Sequence, residues 1–186
     1  EISACLVGSE MCIRDRVDSR GLPPHSIELV VEGGDENAIA SAILRRKAGG
    51  IQTFGSVEVQ VSASYGDVIP IRFNRPSYLY TWIKVILHGK KDELPAKYPS
   101  LVINSLMEES KKFVAGQNLL VQLFNEGIYN SVPGITYVEI KVAHGDSAGF
   151  VPRESDYKAK NIIVDSRQKI LIDEKRIEVA FSEDTI

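Results

Sequence analysis

The chain has 186 residues, 22 Lys and Arg against 25 Asp and Glu, and a formal net charge of −3. Apolar residues make up 44% and charged residues 25%, the balance of an ordinary globular chain with room for one domain or two small ones. No apolar run approaches the roughly 20 residues that a membrane-spanning helix needs, and an acidic chain with scattered Lys and Arg argues against a dedicated nucleic-acid binder.

Residues 1–16 stand apart. Cys5 to Asp15 read CLVGSEMCIRD, followed by Arg16. This segment resembles a translated sequencing-library adaptor of the transposase type, one reading frame of which gives these residues in order. The alternative of a signal peptide lacks a basic start and a long apolar stretch. Residues 1–16 are therefore set aside as an expected artefact, with an upstream part of the natural frame expected to be missing. Both cysteines, Cys5 and Cys12, lie inside the segment, so the rest has no thiol for disulfides, catalysis or zinc.

The remaining chain reads as α+β, in two small subdomains, each a mixed or antiparallel sheet packed by one or two helices. The expected boundary separates residues 17–76 from residues 77–186. After Leu22-Pro23-Pro24, the alternation of Ile27, Leu29 and Val31 predicts a strand. Gly33-Gly34 breaks it and Asp35 is suited to cap a helix. Ala38, Ile39, Ala42 and Ile43 form its apolar stripe, Arg45, Arg46 and Lys47 suit its last turn, and Gly49-Gly50 ends it. Val57–Val61 and Val68–Phe73 predict a hairpin around Ser64-Tyr65-Gly66-Asp67, with Pro70 at an edge.

Tyr78–His88 is the strongest strand pattern. One face carries Leu79, Thr81, Ile83, Val85 and Leu87; the other carries Tyr78, Tyr80, Trp82, Lys84 and Ile86. Both faces are mostly apolar, which predicts cover on both. The plain reading is a central strand packed by its own helices. The functional reading makes Tyr78, Tyr80 and Trp82 interface residues, because aromatics concentrate at interface cores. Helices are predicted over Ser100–Ala115, with Ile103, Leu106, Phe113 and Val114 buried, and over Asn118–Tyr129, with Leu120, Phe124 and Ile128 buried. Val132-Pro133-Gly134-Ile135 predicts a type II turn into a strand with Thr136, Val138, Ile140 and Val142. Gly145–Lys160 reads as polar and irregular. Three short strands are predicted last, Asn161–Val164, Lys169–Ile172 and Arg176–Phe181, with Asp173-Glu174-Lys175 turning between the last two.

Few patterns suggest chemistry. Gly145-Asp146-Ser147-Ala148-Gly149 matches G-x-S-x-G, but His25, His88 and His144 all precede Ser147, and Phe150-Val151-Pro152 does not open a helix. A serine hydrolase using Gly145–Gly149 is thus an alternative to a polar turn. Glu32, Asp35 and Glu36 are better explained by a turn and helix cap than by a metal site. The histidines lack ligand spacing. No catalytic, cofactor-binding or metal-binding residue is assigned, and no cofactor is expected.

The order of motifs carries a resemblance. Val30-Val31-Glu32-Gly33-Gly34-Asp35, Ala38-Ile39-Ala40, Ala48-Gly49-Gly50-Ile51-Gln52-Thr53-Phe54-Gly55, Ile71-Arg72-Phe73-Asn74-Arg75-Pro76, Ser131-Val132-Pro133-Gly134-Ile135 and Ile177-Glu178-Val179 together resemble the baseplate J-like family, over about residues 21–181. The longer polar segment Gly145–Lys160 departs from its pattern. The resemblance implies a structural subunit of the baseplate wedge in contractile-tailed phages or phage-tail-like particles. Such a subunit has no catalytic residues and packs with copies of itself and other baseplate and tail proteins. It is made and assembled in the bacterial host cytoplasm and resides in the virion tail. A generic α+β binding module is the remaining alternative.

Overall fold

A computed structural model describes residues 3–5 (backbone only), 17, 21–63 and 66–183. The chain is α+β and divides into two compact units, Glu1–Ser77 and Tyr78–Ile186.

In the first unit β1 (Ser3–Cys5) pairs antiparallel with β3 (Val30–Glu32), and β2 (Ser26–Glu28) pairs parallel with β4 (Gln52–Phe54). The α1 helix (Glu36–Arg46) forms the crossover between β2 and β4, the connection that a parallel pair requires. Asp35 caps α1, its carboxylate accepting the Ala38 N–H at 2.9 Å. The helix ends at Lys47, whose backbone is already extended, two residues before Gly49-Gly50. Its buried side is Ile39, Ala40 and Ile43; Ala38, expected on that stripe, is exposed. These residues pack with Leu29, Val31, Ile71 and Phe73. The antiparallel hairpin of β5 (Val57–Ser62) and β6 (Val68–Phe73) covers the helix, and Gln60 stands opposite the exposed Pro70. Of the predicted hairpin turn, Ser64 and Tyr65 lie outside the described residues.

The single alternating strand expected through residues 27–31 is corrected to two strands. The chain changes partners at Leu29, whose carbonyl accepts the Asn74 N–H at 2.8 Å. Glu28 and Val30 are buried as well as Leu29 and Val31, so both faces are covered and alternation is lost.

The second unit is built on a sheet of three strands in the order β8–β7–β9: β7 (Ser77–Gly89) lies between β8 (Ile135–Gly145) and β9 (Gln168–Glu183). β7 and β8 are antiparallel. Two helices, α2 (Tyr98–Ser110) and α3 (Leu123–Ser131), supply Val102, Leu106, Phe124 and Ile128 to a core shared with Leu79, Ile83, Val85 and Leu87 of β7. Gly127 faces Ser105 where α2 and α3 meet, and a side chain there would push the Ser105 hydroxyl aside. Gly134 turns the chain into β8 with φ +83°, a conformation glycine adopts without steric cost.

Three expectations in this unit are corrected. The first helix stops at Ser110, not Ala115; its hydroxyl donates back to the Met107 carbonyl at 2.7 Å. Phe113 still reaches the core, from the following turn, while Val114 is exposed. The second helix starts at Leu123, not Asn118. Leu119 instead exchanges two backbone hydrogen bonds of 3.0 Å with Ile162. Asn118 accepts the Val164 N–H and Asn161 accepts the Val121 N–H, each at 3.0 Å, locking the two extended segments together. Leu119 is therefore buried and Leu120 exposed.

The third correction concerns the end of the chain. Residues 161–164 contribute a bridge, not a strand, and the two later strands are one, β9, running through Asp173-Glu174-Lys175. Ile170 and Ile172 face the core before this point, and Ile177, Val179 and Phe181 face it afterwards. The change from even to odd positions means one extra residue is absorbed, the signature of a bulge. The Asp173 carboxylate accepts the Lys175 N–H at 2.9 Å and holds it.

Candidate interaction surface

The helices cover only one face of β7. Because side chains alternate along a strand, Tyr78, Tyr80, Trp82, Lys84 and Ile86 stand on the other. Tyr78 is 38% exposed, whereas Tyr80 and Trp82 are half-buried. Their cover comes from two places that the sequence patterns did not single out.

The first is the segment 146–160, a strap that leaves β8 and returns along its edge. Lys158 and Val142 exchange two backbone hydrogen bonds of 2.9 Å. The Phe150 ring sits edge-on to Trp82, with centroids 5.4 Å apart. That seat exists because Gly145 has no side chain: a Cβ there would come within 2.6 Å of the Phe150 ring. Ala143, directly opposite Trp82, keeps the neighbouring position small.

The second is β9. The Arg176 guanidinium lies 4.8 Å from the Tyr80 ring centroid and 5.1 Å from that of Trp82. Stacking on aromatic faces suits its flat, weakly hydrated cation. Its Nη1 is buried without a hydrogen-bond acceptor.

Lys84 ties strap and sheet together. Its Nζ lies 2.5 Å from Glu154 and 3.5 Å from Glu178, and 4.5 Å from the centre of the Tyr157 ring. The hydrogen bond to Glu154, then the Glu178 and Glu154 charges, raise the Lys84 pKa against the opposing effect of burial. Burial pushes the Tyr157 phenol up, and the Lys84 charge partly offsets this. Lys141 stands opposite Lys84 across the strands and has its own partner in Glu139 at 2.9 Å.

The other sequence candidates serve local structure. Ser147 is exposed in a turn closed by the Phe150 N–H donating to its carbonyl at 3.1 Å, and its hydroxyl oxygen accepts the Gly149 N–H at 3.2 Å. A nucleophile elbow needs a strand, a sharp turn and then a helix. Here the turn leads into the strap. Of the histidines, His25 sits in the first unit with φ 54°, His88 packs beside Tyr137, and His144 is exposed near the end of β8. Asp35 caps α1, and Glu36 lies 3.6 Å from Arg75.

Arg75 belongs to a second constellation that the patterns did not identify as a unit. It donates to the carbonyls of Val31, Gly33 and Gly34, and its guanidinium lies 5.2 Å from the Phe73 ring centroid. Next to it, Asn74 donates to the buried Glu28 carboxylate and accepts the Ser56 N–H at 2.8 Å. Gly55 packs so closely on Phe73 that a Cβ would lie 2.6 Å from its Cα. An open cleft of about 310 Å³ nearby is lined by Lys47, Thr53 and Arg72 among others. These polar groups already have partners: Lys47 with the Ile51 carbonyl, Thr53 with the Arg72 N–H, and Arg72 with Glu58.

No protein-family model matches the chain, and no curated protein matches it as a relative. Among the described residues no helix is long and apolar enough to cross a membrane.

Proposed function

We propose that this chain is a structural component of a contractile-tail baseplate wedge, acting by packing against copies of itself and other tail proteins. One observation carries most of this reading. The residues that bear the family resemblance in the first unit are spent on building the fold. Gly33-Gly34, Gly55 and Phe73-Asn74-Arg75 lie far apart in sequence, yet each holds another in place. A motif set used in this way suits a scaffold, whose working surface lies elsewhere.

The surface we assign to that work is the outer face of β7, with Tyr78, Tyr80 and Trp82. Its large amphipathic rings and stacked arginine are the side chains enriched in protein–protein contacts. The test is quantitative mass spectrometry of purified tail particles from the source bacterium. Several copies per tail support the wedge assignment. A chain present in the cell and absent from purified tails rules it out.

A further inference from the structure

The strap shows what chemistry the outer face of β7 accepts. It places an aromatic ring, Phe150, on Trp82 and, four residues later, a carboxylate, Glu154, on Lys84. The face beneath is aromatic and basic: Tyr80, Trp82, Lys84 and Arg176, with Glu178 the acidic neighbour of Lys84. The match is local: the strap as a whole is neutral, with Asp146, Glu154 and Asp156 against Arg153, Lys158 and Lys160, and Glu154 is the carboxylate that meets a cation of the face.

The strap is also weakly held. None of residues 146–160 is buried, and Val151, beside the anchoring Phe150, is 82% exposed. Its side-chain hold consists of one edge-on ring, one carboxylate that is itself 75% exposed, and one ring beside an ammonium group. Exposed ion pairs are weak, and segments with few buried contacts are the first to open. With the strap in place, the Arg176 Nη1 still has no acceptor.

We propose that residues 146–160 are a displaceable cover that stands in for a partner, and that the partner is an extended protein segment carrying an aromatic residue followed, four positions on, by a carboxylate. This rests on reading the face as a subunit contact. When the strap swings away, the incoming aromatic takes the Phe150 seat over Gly145 and its carboxylate takes Lys84. A further carboxylate can reach the Arg176 Nη1, which the strap leaves without an acceptor, while the partner's backbone has to remake the two bonds that Val142 gives up with Lys158.

Trp82 is the only tryptophan and reports directly on the cover. The experiment uses the full chain and a synthetic peptide of the strap sequence, residues 145–160, as the probe. In the double variant Phe150→Ala/Glu154→Ala, Trp82 emission should shift to the red and acrylamide quenching should rise at least twofold. Added peptide should reverse both changes saturably, and bind the wild-type chain at least tenfold more weakly. A peptide with Gln in place of its Glu should bind the opened variant at least fivefold more weakly. Unchanged quenching in the double variant, or no peptide binding to it, overturns the proposal.

Hydrogen exchange on the unmodified chain gives a readout that needs no variant. The Lys158 amide should exchange at least a hundredfold faster than the Ile83 and Val85 amides of β7; equal protection also overturns it. Tail incorporation enters neither readout. A chain that binds the peptide but is missing from tails defeats the wedge reading alone, and a tail component whose opened form ignores the peptide defeats the cover alone.

Discussion

Arg75 and Arg176 show two uses of one side chain. Arg75 is enclosed: three backbone carbonyls, the Glu36 carboxylate and the Phe73 ring surround its two terminal nitrogens. Arg176 is held by two rings, yet one of its nitrogens is buried without an acceptor. The first completes the turn at Gly33-Gly34. The second leaves hydrogen-bonding capacity unused on the face that carries Tyr80 and Trp82. One fold thus holds an arginine enclosed by partners and another with a nitrogen left over, and the proposed contact is placed on the second.

The sharpest way to test the enclosed site is to remove the space it needs. Gly55→Ala should destabilise the first unit by about 3 kcal/mol or more, because the new methyl meets the Phe73 backbone, which cannot yield like a flexible side chain. Urea unfolding followed by far-ultraviolet circular dichroism measures this. Arg75→Ala should cost about 2 kcal/mol by the same assay, since it removes charge-assisted bonds to carbonyls and a ring contact together. Arg176→Met tests the contrast directly. It replaces a guanidinium with an unpaired nitrogen by a shorter, flexible apolar chain, so stability should change by less than about 1 kcal/mol. An equal loss at Arg75 and Arg176 would erase the distinction between them.

A smaller effect follows from Lys84. Its pKa is raised in the folded chain, so its contribution is complete below the ordinary lysine value and is lost as pH climbs through the higher folded value. The groups facing it are Glu154, Glu178, Tyr157 and, across the strands, Lys141. Trp82 quenching should therefore stay constant through neutral pH and rise only in the alkaline range, and Lys84→Met should flatten the profile. Smallest of all, Ser147→Ala should leave stability within about 0.5 kcal/mol, since its side chain serves an exposed turn.

What the sequence made legible was local. Asp35 before α1, the apolar alternation of β7 and Gly134 in the turn before β8 act on residues within a few positions, so pattern and structure agree. The failures involve distant partners. Asn118 and Asn161 read as ordinary polar residues, and each finds its backbone partner 46 or 40 positions away. Those bonds draw 118–121 into an extended segment where a helical stripe was expected. Asp173-Glu174-Lys175 has turn composition, but the neighbouring sheet keeps it in β9 and absorbs the extra residue as a bulge. Tyr78, Tyr80 and Trp82 could be placed on one face by alternation. That Phe150 folds back onto Gly145, and that Arg176 reaches Tyr80 and Trp82, depends on how chain segments meet.

The wedge assignment is tested most directly by complementing a particle-producing strain that lacks this gene and counting sheathed tails by electron microscopy. The account predicts that the wild-type chain and Ser147→Ala restore tails alike, and that Tyr80→Ala/Trp82→Ala, folded but stripped of its aromatic face, restores fewer than a tenth as many. Full restoration by the aromatic-face variant, or loss of tails with Ser147→Ala alone, would contradict it.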